Sequence, residues 1–448
     1  MMNQSESLFT NRDLKNLVLP LFMEQLLTML VGIADIFIVS FVGEAAVSGV
    51  SLVNSFNTIF IYLFTALASG GAVVISQYIG RNEPKIAGEA SSQLFTSSVL
   101  FSIVTAVLIL LINRPLMRMM FGQVEQDVMA ACVTYLRISA YSYPALAIYN
   151  AGAALYRSFG KTSTTMYISL IANTINIAGN LIGVFVLKAG VAGVAYPSFI
   201  SRTFSAIAIT ILCFGGKNPV QYHVKWILSW KKKLQYQMLR IAIPNGVESG
   251  VFQLVKVALS SVVALFGTYQ IAANGIAQSI WGMAALVCVT MGPVFITVIG
   301  QCMGAGDTQA ADYYFRKLLK ITLLFSLVWN GLIFAVTPIL MHFYSLAEET
   351  KHLVIVLVLI HNICNAVAFP FADPFGKGLR ATGDVKFTTA ISLFTTVGVR
   401  LVFSVLFGIT LNLGVVGIAY AMCLDWIIRG IIFWIRFKKN KWKQCKVI

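Results

Sequence analysis

The chain has 448 residues, 58% hydrophobic and only 11% charged, with a mean hydropathy of +0.81 and a formal net charge of +16. So much apolar surface cannot be hidden from water, which excludes an ordinary soluble protein and makes lipid the solvent of the fold. The excess of cations does not point to nucleic acid, because lysines and arginines clustered between apolar runs act as topology signals and headgroup contacts.

Taken in chain order, the polar opening MMNQSESLFTNRDLK runs into a long first span without a small-residue cleavage site, so no removed signal peptide is expected. Hydrophobic runs then predict twelve helices near 16–41, 46–79, 91–113, 130–155, 163–188, 191–214, 238–266, 270–303, 316–342, 352–376, 386–411 and 414–437. The expected fold class is therefore an all-α polytopic membrane protein. The longest hydrophilic connection, around 215–237, carries Lys217, Lys225, Lys231, Lys232 and Lys233. It divides the chain into residues 1–220, a linker 221–237 that the charge pattern places in the cytoplasm, and residues 238–448.

The two halves are copies. A shift of 224 residues lays Pro20 on Pro244, Glu24 on Glu248, Gly43 on Gly267, Gln77 on Gln301 and Gly80 on Gly304. After small slips, Pro115 falls on Pro338, Pro144 on Pro370, and Arg157–Gly160 on Arg380–Gly383, while GVAGVAY at 190–196 falls on GVVGIAY at 414–420. Six spans per copy give both halves the same orientation, related by a pseudo-two-fold axis along the membrane normal. Repeats of this length in an apolar chain are typical of secondary transporters. With the N-terminus inside, cytoplasmic segments hold 24 lysines and arginines against 4 on the other side, Arg114, Arg118, Lys188 and Lys351. Both termini are expected in the cytoplasm of a plasma-membrane protein.

Ionisable groups at membrane depth are expensive, so each is a candidate for function or for an internal pair. In the first half Glu24 and Asp35 stand eleven residues apart, nearly on one face of the first helix and about 16 Å apart in depth. Asn176 and Asn180, with Asn173 beside them, share a face of the fifth helix at the depth of Asp35. A carboxylate among amide oxygens can take up a proton or coordinate a small hard cation, although asparagines also serve simply to pack helices. The second half differs. Leu259 stands where the first half has Asp35, and Arg400 stands near the place of Asn176.

Arg400, Asp425 and Arg429 point to a structural ion network. Glu24 and Glu248, with Gln253 and Lys256 deeper and Asp373 near a helix end, are candidates for contacting substrate. The two glutamates either form an acidic mouth that favours cationic compounds or pair with nearby bases such as Arg240. In-span prolines (Pro20, Pro144, Pro197, Pro244, Pro293 and Pro370) act as hinges or static kinks. Seven cysteines without a CxxC indicate neither a disulfide framework nor a metal site.

The segments LPLFMEQLLTMLVGIADIFIVSFVGEAAVSGV, SQYIGRNEPKIAGEA, IGQCMGAGDTQAADYYF and GLRATGDVKFTTAISLF make the chain resemble the multidrug and toxic compound extrusion (MATE) antiporters over nearly its whole length. The resemblance implies two six-helix bundles around a central cavity, and export of organic, often cationic amphipathic compounds against inward protons or sodium ions. It implies no other cofactor, a small-molecule substrate, a lipid bilayer as the surrounding partner, and a chain that works as a monomer.

Carried over by position, Asp35 resembles the cation-coupling aspartate and Asn176 its neighbour, while Asn180 stands where many members have a second acid. Ser198 stands near a position that is often threonine. Glu248 follows Pro244 at a shorter spacing than the family's seventh-helix acid, and Asp373 lies too close to Arg380 to match the tenth-helix acid. A lipid flippase of the same superfamily is the alternative. An enzyme is not expected, because the four histidines show no metal-ligand spacing, and a channel is disfavoured by the lack of a filter-like repeat.

Overall fold

The structure is a computed structural model that describes residues 8–122, 124–215, 218–344 and 346–448; Lys217 of the polar connection lies outside them. It is almost wholly helical. The first six spans are α1 (Asn11–Ser40), α2 (Glu44–Gly80), α3 (Pro84–Phe121), α4 (Gln126–Tyr141 continued by Tyr143–Ser158), α5 (Thr162–Val186) and α6 (Ala192–Phe214). The second six are α7 (Lys232–Phe266), α8 (Thr268–Gly304), α9 (Thr308–His342), α10 (Glu348–Val367 continued by Phe369–Ala372 and Pro374–Ala381), α11 (Val385–Thr410) and α12 (Gly414–Lys438).

Several helices outrun the apolar stretches that predict them. α3 begins at Pro84, whose missing N–H costs nothing in a first turn, and runs on past Pro115 to Phe121. The apolar run marks what lies in lipid, whereas caps and backbone hydrogen bonds decide where the helix ends. At the start of α9 the Asp307 carboxylate accepts from Gln309 N at 3.0 Å and Ala310 N at 2.8 Å.

α4 and α10 are interrupted where single helices are expected. Pro144 follows the break at Ser142, while Pro370 and Pro374 follow the breaks at Ala368 and Asp373, because proline cannot continue the hydrogen-bond ladder behind it. Three further stretches are π-helical: Ile182–Val186 closes α5, Phe394–Leu401 interrupts α11 and Leu406–Thr410 closes it. Such local widening often accompanies a functional residue.

Two turns repeat as the sequence does. Gly43 and Gly267 precede α2 and α8 with φ of +132° and +88°, a backbone region that side chains disfavour. A Cβ on Gly193 would sit 2.6 Å from the Gly183 carbonyl oxygen, and one on Gly417 2.6 Å from the Phe407 carbonyl carbon. The GVAGVAY and GVVGIAY segments are therefore places where paired helices touch backbone to backbone.

The chain forms two units, Asn11–Gly246 and Val247–Ile448, the latter joined by residues 8–10, and the division falls inside α7. In the first, α1 packs along α5, α5 along α6, and α2 against α3 and α4. Its apolar core runs from Val39, Val50 and Val53 through Leu136 and Tyr143 to Val194. In the second, α8 packs against α9 and α10, and α12 against α10 and α11. The Phe9 peptide is clasped there by Tyr314, whose hydroxyl accepts from Phe9 N at 2.9 Å and donates to Phe9 O at 2.8 Å.

Candidate ion-coupling site and its counterpart in the second unit

α1 and α5 lie side by side, so the acidic stripe of one meets the amide stripe of the other. Asn180 Nδ2 donates to Asp35 Oδ1 at 2.6 Å and to Asn176 Oδ1 at 2.7 Å, and Asn176 Nδ2 reaches Ser198 Oγ on α6 at 3.3 Å. All four residues expected at the coupling site thus form one chain. Asn173 stands apart, donating to Ser169 Oγ at 3.5 Å.

Asp35 is half-buried and Asn180 fully buried, with the Asn180 carbonyl oxygen left unpartnered. A buried acceptor without a donor is costly, so this oxygen is available to a cation. With the Asn180 amide turned over, Asp35, Asn176, Asn180 and Ser198 offer carboxylate, amide and hydroxyl oxygens, a hard donor set suited to a small cation. In the orientation seen, the amide N–H groups occupy the place of that positive charge. Arg202, one turn past Ser198, donates to Ser142 Oγ at 2.7 Å and lies within electrostatic reach of Asp35.

The acidic mouth does not hold. Glu24 is 4% exposed and has its charge matched by Arg157 Nη2 at 2.8 Å, with Tyr149 OH donating at 3.0 Å and Thr165 Oγ1 at 2.8 Å. Glu248 is ion-paired with Arg380. The partners are not Arg240 but two arginines that occupy equivalent places in the repeat, as the glutamates do. That double equivalence is the sequence signal that identifies the pairs. Asp373 is also matched, by Lys377 at 2.8 Å one turn later. Gln253 is half-buried, and Lys256 is exposed and makes no ion pair among the described residues.

The second unit brings Arg400, Asp425 and Arg429 together as expected. Asp425 Oδ1 accepts from Arg429 Nη2 at 2.7 Å, while Asp425 Oδ2 lies 3.0 Å from Arg400 Nε. Arg429 is further held by Thr395 Oγ1 at 2.9 Å and Thr396 Oγ1 at 2.8 Å. Sequence reasoning missed His361, which is 1% exposed with neither ring nitrogen partnered. It also missed Arg137, an exposed cation within α4.

Comparison with known proteins decides the family. The MatE family model matches residues 20–182 and again 244–406, two segments displaced by the same 224 residues as the internal repeat. The chain belongs to the MatE family. This MatE protein is 26% identical to the transporter YisQ of Bacillus subtilis (strain 168) over 96% of its own length and 95% of that protein's. It is 24% identical to NorM of Thermotoga maritima, described as a probable multidrug resistance protein, over 98% and 94% of the two chains. Its fold matches a crystal structure of MATE in the straight conformation with a TM-score of 0.89 at 18% identity, covering 97% of each chain. It is a multi-pass membrane transporter with the twelve-helix fold of that family, and not an enzyme.

Proposed function

We propose that this transporter is a secondary active antiporter that exports small organic compounds while protons or sodium ions move inward through the Asp35 site. The observation that carries the reading is the bond from Asn180 to Asp35, because it ties the carboxylate of α1 to polar groups of α5 and α6 inside an apolar unit. A cation or proton arriving at Asp35 removes the reason for the Asn180 amide to donate there. Loading the ion therefore changes how α1 is held against α5, and packed helices with two discrete arrangements can pass such a change onward. The names of relatives such as NorM support drug-like cargo.

In this reading the two sequence repeats are the working halves, the chain acts as a monomer in the plasma membrane of a prokaryote, and the cation bias keeps both termini in the cytoplasm. Glu24, Glu248 and Asp373 are matched by Arg157, Arg380 and Lys377, so these carboxylates do not select a cationic cargo. The test is efflux from membrane vesicles under separately imposed proton and sodium gradients. Asp35→Asn should still bind cargo yet fail to accumulate it against a gradient; accumulation at the wild-type level would overturn the assignment.

A further inference from the structure

The second unit holds more positive charge at depth than it neutralises. Asp425 is fully buried and shared by two guanidinium groups, Arg400 and Arg429, whose side chains are 7% and 11% exposed. One carboxylate against two guanidinium groups leaves the triad with a net charge of +1. An uncompensated buried cation costs several kcal/mol even after relaxation, so a surplus of this kind calls for an anion.

The two arginines are not equivalent. Arg429 is taken up by Asp425, Thr395 and Thr396. Arg400 is ion-paired through Nε with Asp425 Oδ2 at 3.0 Å, while the Thr395 and Thr396 hydroxyls go to Arg429. Its side chain keeps 7% exposure, so the planar fork that binds carboxylates two-pronged is not wholly sealed.

What surrounds Arg400 fits the same ligand. Its guanidinium lies 5.1 Å from the ring centre of Phe252 and 5.8 Å from that of Trp426, which are apolar walls. Arg400 also sits on the π-helical stretch Phe394–Leu401, a local widening of α11.

We propose that Arg400 forms a binding site for the carboxylate of an aromatic or amphipathic organic acid, with Arg429 and Asp425 holding Arg400 in place. Calling that acid part of the cargo rests on the transport reading above; the site itself does not.

The test reads tryptophan fluorescence of the purified full-length protein, without any gradient, titrated with 4-nitrobenzoate, with its neutral analogue 4-nitrobenzamide, and with sodium chloride. The expected result is binding of the benzoate at least about tenfold tighter than the amide, a difference of about 1.4 kcal/mol. Arg400→Gln leaves Asp425 and Arg429 as a neutral pair, so it should remain monodisperse and lose the preference. Arg400→Lys should keep part of it, having the charge without the fork. Equal binding of benzoate and amide by the wild-type protein, a preference that survives in folded Arg400→Gln, or chloride binding as well as benzoate would each overturn the proposal. Since no transport is measured, a chain that exported nothing would still pass or fail this test separately.

Discussion

The two units share a repeat but not a chemistry. Both keep a glutamate–arginine pair at equivalent places, Glu24 with Arg157 and Glu248 with Arg380. Elsewhere in each copy, the first unit collects a carboxylate, two amides and a hydroxyl, whereas the second collects two guanidinium groups, one carboxylate and aromatic rings. The shared pairs tie helices together within each copy. The parts that diverged are those that differ in charge. Duplication therefore supplied a scaffold, and the asymmetry between Asp35 and Leu259 is where the proposed coupling site is confined to one half.

The shared pairs offer the largest test of that division. If they are structural, Glu24→Gln should destabilise by about 3 to 5 kcal/mol, the usual cost of leaving one member of a buried ion pair alone. Glu24 has three partners and a side chain 5% exposed, against 18% for Glu248, so Glu248→Gln should lower the melting temperature less. Adding Arg157→Met to Glu24→Gln should recover much of the loss. A Glu24→Gln protein that melts as the wild type does but binds cargo poorly would instead return Glu24 to the substrate.

A smaller effect is expected where the first unit has an amide. Asn180→Asp adds a negative charge within hydrogen-bond distance of Asp35 and Asn176. At about 4 Å and an effective dielectric near 20, unit charges exchange about 4 kcal/mol, so even part of that term should strengthen sodium binding by roughly tenfold or more. Calorimetric titration with sodium chloride checks this, and an unchanged affinity would remove Asn180 from the coordinating set. The smallest change belongs to Ser198→Ala, which removes one long contact to Asn176 at 3.3 Å. About 1 kcal/mol or less is at stake, so coupled efflux should persist with ion affinity reduced a few-fold.

Periodicity alone determined much of this protein. Apolar runs located the spans, the 224-residue shift exposed the duplication, and helical spacing placed Asn176 and Asn180 on one face at the depth of Asp35, where α1 and α5 do meet. These properties are written within single helices, where position along the chain fixes both face and height. What lies across helices was decided by tertiary structure. The sequence offered Arg240 as a neighbour for Glu24 and Glu248, but packing delivered Arg157 and Arg380, because a long guanidinium side chain pairs with whichever carboxylate its helix is packed against. Which arginine of the buried triad would be held more fully around Asp425 was invisible in the sequence. That choice turns on hydroxyls of Thr395 and Thr396 reaching Arg429 and not Arg400, a matter of ångströms that no spacing along the chain encodes.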